Sequence, residues 1–183
     1  AGVTTNPAIF HKAIAGGRYY EDELAALKKT PLSAEARYEA LVIPDVQQAC
    51  DLLLPQYRQS GGRTGYVSLE VSPALAHDAA GTLAAGLRLK AAVDRPNVLI
   101  KVPATGAGID AIAQLIEAGV SVNVTLIFSL AQADAVAQAY LRSLERRHAA
   151  GGDVRPIMSV ASLFLSRLDT LIDTQLEELG GEA

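Results

Sequence analysis

The feature that most narrows what this 183-residue chain can fold into is an alternation. Five short runs rich in β-branched residues, at 2–5, 66–71, 98–102, 120–126 and 157–161, are each bounded by Gly, Pro, Asn or Ser and separated by stretches dense in alanine and leucine. Strands this short and this continuously apolar are buried on both faces, and strands joined through helices run parallel. The reading is therefore an α/β protein with a parallel sheet and helices packed on it, built from repeated βα units.

The segments between the strands carry helix signals. Residues 33–43 read as one helix, and Pro44 can occupy the first turn of another that runs through "DVQQACDLLLPQY" until Pro55 disturbs it. Ser72-Pro73 and Thr82 open the region that carries "LAAGLRLKAAV", residues 110–118 form a short helix closed by Gly119, and Ser129 with Gln132 fits a capping box. A long helix then runs to the pair Gly151-Gly152, and from Ser166 onward Leu168, Leu171, Ile172 and Leu176 recur at helical spacing. No composition shift, repeat period or low-complexity linker divides the chain, so residues 1–183 are read as a single domain.

Composition removes several classes of function. Half the residues are hydrophobic, a fifth are charged and the net charge is −4, which suits one core of ordinary size and supplies no basic stripe for nucleic acid or an anionic membrane surface. Cys50 is the only cysteine, so no intrachain disulfide forms, and its reading is a buried helical residue. His11, His77 and His148 lie far apart with no metal-ligand spacing, so no metal is expected. No apolar run approaches the ~20 residues that span a bilayer, and "AGVTTNPAIF" lacks the features of a signal peptide. The expectation is a cytoplasmic protein with neither a membrane nor a nucleic-acid partner.

Polar residues are expensive in strands covered on both faces unless they are paired or face a site. Here they gather toward the carboxyl ends. Thr4, Thr5 and Asn6 end the first run, Glu70 ends "YVSLE", Lys101 lies near the end of "VLIK", Asn123 and Thr125 alternate through "SVNVT", and Ser162 follows "MSVA". In βα barrels that face holds the catalytic groups. A lysine held there loses hydration, which disfavours its ammonium form and leaves an amine able to attack a carbonyl and form an imine. Glu70 and Thr125 beside it can hold a water and relay the protons that carbinolamine formation and breakdown require. Asn6, Asn123 and Ser162 supply donors and acceptors for polyol hydroxyls, and the Arg167 guanidinium can take a phosphate.

Each residue also has a plainer reading. Lys101 can guard an edge strand or reach water along its stem, Glu70 can be a surface or ion-paired carboxylate, and Asn6, Asn123 and Ser162 can be turn or capping residues. Arg167 can be an ordinary salt-bridge partner. Downstream, Gly106, Gly108 and Ala111 match the dinucleotide fingerprint G-x-G-x-x-A. Two features speak against it: "SVNVTLIF" ends without the acidic residue that would take a ribose, and a proline-containing loop precedes the glycines.

The segments "GVTTNPAIF", "YVSLEVSP", "LIKVPAT", "GVSVNVTLIFS" and "SVASLFLSRLDT", in this order, resemble the transaldolases, the Schiff-base sugar-phosphate transferases, over essentially the whole chain. The resemblance implies a (β/α)8 TIM-type barrel without a cofactor. Lys101 would form the imine with a ketose phosphate, Glu70 and Thr125 would hold the proton-moving water, and Asn6, Asn123 and Ser162 would contact the dihydroxyacetone unit. Thr4 and Phe164 would line the substrate site, and Arg167 would bind phosphate. Related fructose-6-phosphate aldolases carry glutamine and tyrosine where this chain has Glu70 and Phe164, so both positions resemble the transferases. Deoxyribose-phosphate aldolase shares the barrel lysine but not the "TTNP" and "NVTLIFS" context.

Family members begin with a strand bearing an acid/base aspartate, and the sequence here opens at what would be the second strand and closes after the sixth. A full barrel takes ~250 residues, so five units in 183 fit an incomplete one. The expectation is a portion lacking the first strand and the last two, with a homo-oligomer or a fused partner left open.

Overall fold

The computed structural model describes residues 2–180. Five strands, β1 (Val3–Thr4), β2 (Val67–Glu70), β3 (Val98–Pro103), β4 (Val122–Ile127) and β5 (Ser159–Leu163), form one parallel sheet in the order β1-β2-β3-β4-β5. Sequential order separates this sheet from a doubly wound one, whose strand order reverses partway. Right-handed crossovers that never reverse place their helices on one face and leave the other concave. The fold is a partial (β/α) barrel: the alternation predicts its parallel sheet of βα units, and the family resemblance implies its barrel form.

The two faces are read from the pleat. Val67, Leu69, Val71, Val98, Ile100, Val102, Val122 and Val124 join one apolar cluster with residues of the helices. Ser68, Glu70, Leu99, Lys101, Asn123 and Thr125, at the alternate positions, point the other way, into the concave side. Among the described residues seven α-helices accompany the strands: α1 (Pro7–Gly16), α2 (Glu21–Leu27), α3 (Ala34–Gln59), α4 (Ala79–Val93), α5 (Gly106–Glu117), α6 (Leu130–Ala149) and α7 (Leu165–Glu178). None of the described helices is long and apolar enough to cross a membrane.

Several local expectations need correction. The stretch read as two helices broken near Pro44 and Pro55 is the single helix α3, 26 residues long, containing both prolines. Both lie on its exposed side, where carbonyls freed by the missing N–H groups can bond to water, while Val42, Val46 and Cys50 run as a buried stripe at fourfold spacing. Burial of that stripe outweighs the local cost. Cys50 is fully buried, as read.

Helix α4 is capped by Asp78, whose carboxylate accepts from Gly81 N at 2.9 Å, whereas Thr82 lies inside the helix and donates to Leu75 O. Helix α5 begins four residues earlier than read, at Gly106, capped by the Thr105 hydroxyl on Gly108 N. The run read as 157–161 forms its strand two residues later. Ser129 caps α6 as read, its Oγ accepting from Gln132 N at 3.2 Å, but the returning half of the box lands one residue early, with Gln132 Oε1 accepting from Phe128 N at 3.0 Å; Gln132 also donates to Ala104 O at 3.0 Å, fastening the start of α6 to the end of β3.

In "GAGIDA" the second glycine is steric, while a Cβ at Gly106 would meet nothing within 4 Å. A Cβ at Gly108 would meet Pro103 O at 2.0 Å, so the glycine lets α5 start hard against β3.

The sheet stays open at both sides. Val3 and Thr4 of β1 are exposed, and Val160 and Leu163 of β5 and Leu171 and Ile172 of α7 carry uncovered apolar surface. Across β4 and β5 the pairs Val124↔Ala161 and Ile127↔Leu163 leave Thr125 and Leu126 opposite Ser162 alone, a β-bulge, with Leu126 at φ 60°.

Candidate active site

Strand register assembles the polar residues into layers at the carboxyl end of the sheet. Glu70, Lys101 and Asn123 are level with one another on β2, β3 and β4, Thr4 is level with Ser68, and Thr125 with Pro103. Lys101 is on the central strand, which disposes of the edge-strand alternative. It is 8% exposed, with Nζ 3.1 Å from Glu70 Oε2 and 3.3 Å from Thr5 O. A cation this buried needs such partners. An ammonium has three donors, and these two acceptors leave one for a ligand.

A second chain of contacts crosses the same concave face. Ser162 Oγ donates to Asn123 Oδ1 at 3.1 Å, and Asn123 Nδ2 donates to Ser68 Oγ at 3.0 Å. Thr5 Oγ1 donates to Ser68 O at 2.6 Å, so the backbone of Ser68 is also held by the residue whose carbonyl receives the lysine. Thr125 is 1% exposed and shares the inward face with Asn123. Glu70 acts beyond the lysine as well: with burial as the larger cause, its carboxylate and that of Glu39 push the Tyr38 phenol up to about 12.

Other expected residues lie differently. Asn6 caps α1, its Oδ1 accepting from Ile9 N at 2.8 Å, which leaves its amide nitrogen and one lone pair free of the helix. Phe164 precedes α7 and packs on Phe128 with ring centroids 5.1 Å apart. Arg167 is exposed, with its guanidinium 5.2 Å from the Phe164 ring centroid, a cation–π contact rather than a salt bridge. A cavity of about 560 Å³ between α1, α2, α3 and the end of β2 reaches Glu70 and Tyr38 but not Lys101, Asn123 or Ser162, which face the open concave side.

Sequence reasoning singled out neither Ser68 nor the Thr5 carbonyl. A signal for Ser68 was present, since it precedes Glu70 by two residues and so shares its face.

The fold and the site together define a (β/α)-barrel protein with a buried lysine–carboxylate pair at the carboxyl ends of its strands. The transaldolase/fructose-6-phosphate aldolase family model matches residues 1–183, and the chain belongs to that family. It is 54% identical over 180 residues to the transaldolase of Thiobacillus denitrificans, covering 98% of this chain and 50% of that protein. It is 52% identical over 177 residues to the transaldolase of Neisseria gonorrhoeae, covering 97% and 50%. It is 51% identical over 181 residues to transaldolase 1 of Streptomyces coelicolor, covering 99% and 48%. The chain spans about half the length of the curated relatives it matches.

Proposed function

We propose that this chain carries the imine-forming centre of a transaldolase, which moves a dihydroxyacetone unit between sugar phosphates: from sedoheptulose 7-phosphate to glyceraldehyde 3-phosphate, giving erythrose 4-phosphate and fructose 6-phosphate. The observation that carries the reading is the buried Lys101 Nζ held 3.1 Å from Glu70 Oε2 at the end of a central barrel strand. Half-coverage of the relatives and the open sides of the sheet support reading the chain as the central part of the barrel.

The chemistry follows from the contacts. Attack on a ketose carbonyl requires a neutral amine, and Glu70 is already placed to take the ammonium proton. As Nζ bonds to the carbonyl carbon, the carbonyl oxygen becomes the carbinolamine hydroxyl. A proton returned from Glu70, directly or through a water held with Thr125, lets that hydroxyl leave as water and the imine form. The cationic imine at the second carbon then takes up, as an enamine, the electron pair released when the bond between the third and fourth carbons breaks, while the fourth carbon, its hydroxyl proton lost to a base, leaves as an aldehyde; the enamine carbon attacks the acceptor aldehyde in the reverse sense. Asn123 and Ser162 hold the hydroxyls of the three-carbon unit, Thr4, Asn6 and Phe164 border it, and Arg167 binds the phosphate. No cofactor enters these steps. A cytoplasmic setting and a place in sugar-phosphate interconversion by the pentose phosphate route accompany this reading.

Borohydride reduction in the presence of fructose 6-phosphate tests it. The stable adduct should map to Lys101, and labelling at Lys90 or elsewhere would overturn the assignment. A coupled assay for transfer separates the enzyme from a sugar-phosphate binder that forms the imine without turnover. Release of free dihydroxyacetone in place of transfer would mark an aldolase instead.

A further inference from the structure

Ser68 lies on the concave face, two residues before Glu70 on the same strand, and is 3% exposed. Its main chain and its side chain serve different neighbours: the carbonyl accepts from Thr5, while Oγ accepts from Asn123 Nδ2 at 3.0 Å. Asn123 is thereby held from both sides, since its Oδ1 receives the Ser162 hydroxyl. An asparagine amide has two donors and two acceptor lone pairs. With one N–H on Ser68 and one lone pair on Ser162, one donor and one lone pair remain, and the two anchors fix the plane in which they lie.

We propose that Ser68 is a positioning residue: its hydroxyl sets the rotamer of Asn123 so that the unused amide valences meet the hydroxyls of the bound three-carbon unit. The inference rests on the transaldolase reading for the identity of that unit, but the Ser68–Asn123 contact does not depend on it. Ser162 cannot do this alone, because one hydrogen bond leaves the amide free to swing about its Cβ–Cγ bond, and the second removes that freedom. Binding groups must be held close to their productive geometry, and a hydroxyl rigidly placed on β2 is what holds this one.

The test uses the protein at the length its gene encodes. Ser68→Ala should lower kcat/KM for transfer about tenfold, the scale of one buried hydrogen bond. Borohydride trapping at Lys101 should survive. In an Asn123→Ala background the same substitution should change kcat/KM less than about twofold, because the group it positions is gone. Ser68→Thr, which keeps a hydroxyl, should recover part of the loss. Independently of activity, the side-chain amide signals of Asn123, assigned by their disappearance in Asn123→Ala, should shift and exchange faster with water in Ser68→Ala. An unchanged Asn123 amide, or an equal loss in both backgrounds, would overturn the proposal. Failure of trapping at Lys101 in the unsubstituted protein would instead overturn the transaldolase reading, while the amide measurement still decides the role of Ser68.

Discussion

The two ends of the sheet both bury polar side chains, and they use them differently. At the amino end Asn97, fully buried before β3, donates to Cys50 O at 2.9 Å and Gly65 O at 2.8 Å, and Ser121 Oγ accepts from Met158 N at 3.1 Å. Those partners are all main-chain groups. At the carboxyl end Lys101 and Thr5 also reach main-chain carbonyls, but Lys101 meets Glu70, Ser162 meets Asn123 and Asn123 meets Ser68 as well, bonds that join side chain to side chain. A donor bonded to the backbone, as the Asn97 Nδ2 is, serves the chain's own hydrogen bonding, although Asn97 Oδ1 is left without a partner among the described residues. A side chain bonded to another side chain keeps valences that a ligand can take. Burial and polarity alone do not mark a site; the nature of the partner does.

Substitutions at the two ends should therefore separate chemistry from stability. The largest effect is expected at Lys101→Met, which should abolish borohydride trapping and lower transfer at least about 10⁴-fold, the scale on which loss of a covalent nucleophile acts. Circular dichroism should show the fold retained. Glu70→Gln keeps the shape but removes the proton acceptor, and should slow imine formation by about 10²- to 10⁴-fold in single-turnover trapping. A Glu70→Gln protein that trapped at the normal rate would assign the proton transfer to another group.

Asn97→Ala should do the reverse, removing the amide that donates to the buried carbonyls of Cys50 and Gly65. The expected loss is about 2–4 kcal/mol in urea unfolding, with the trapped fraction per folded molecule unchanged. A loss of trapping without a loss of stability would break the contrast between the two ends.

Alkaline titration sharpens it. Burial is the largest cause that raises Tyr66 near the amino end, and likewise Tyr38 near the carboxyl end, each to about 12. Because the folded values lie above the unfolded one near 10, this contribution to stability is complete below pH 10 and fades as the pH climbs toward 12. Glu70→Gln should bring Tyr38 down and leave Tyr66 where it is, read by ultraviolet difference titration. The smallest effect belongs to Leu126→Gly: relief of the left-handed backbone and the added chain freedom nearly cancel, so the melting temperature should hardly move.

Much of this was legible because of where residues fall in apolar runs. Glu70, Lys101, Asn123 and Thr125 stand out since a strand covered on both faces excludes them without a reason. Ser68 did not, because a serine in a strand is cheap to bury and raises no question until its partner is seen. The cap of Asn6 on α1 and the contact of Arg167 with Phe164 are properties of three-dimensional neighbours that spacing does not encode. The prolines of α3 misled because proline propensity is local, while the stripe Val42, Val46 and Cys50 that keeps the helix whole acts through packing across the chain.

The bulge at Thr125 and Leu126 has a consequence for how β4 tolerates change. Ahead of it odd-numbered residues face inward, as Asn123 and Thr125 do; beyond it Ile127, also odd, returns to the helix-side core. What the position supplies is a count, not a chemistry: one additional residue that flips the strand's parity. Many side chains can stand where Leu126 stands, exposed and unbonded to the site. Removing that single residue would restore strict alternation, with Thr125 opposite Ser162 and Ile127 still opposite Leu163 on the helix side, whereas removing Val124 would turn the residues on one side of the gap to the opposite face. The strand should accept both rewriting and shortening at this one point, so that deleting the Leu126 codon does less damage than deleting the codon of Val124.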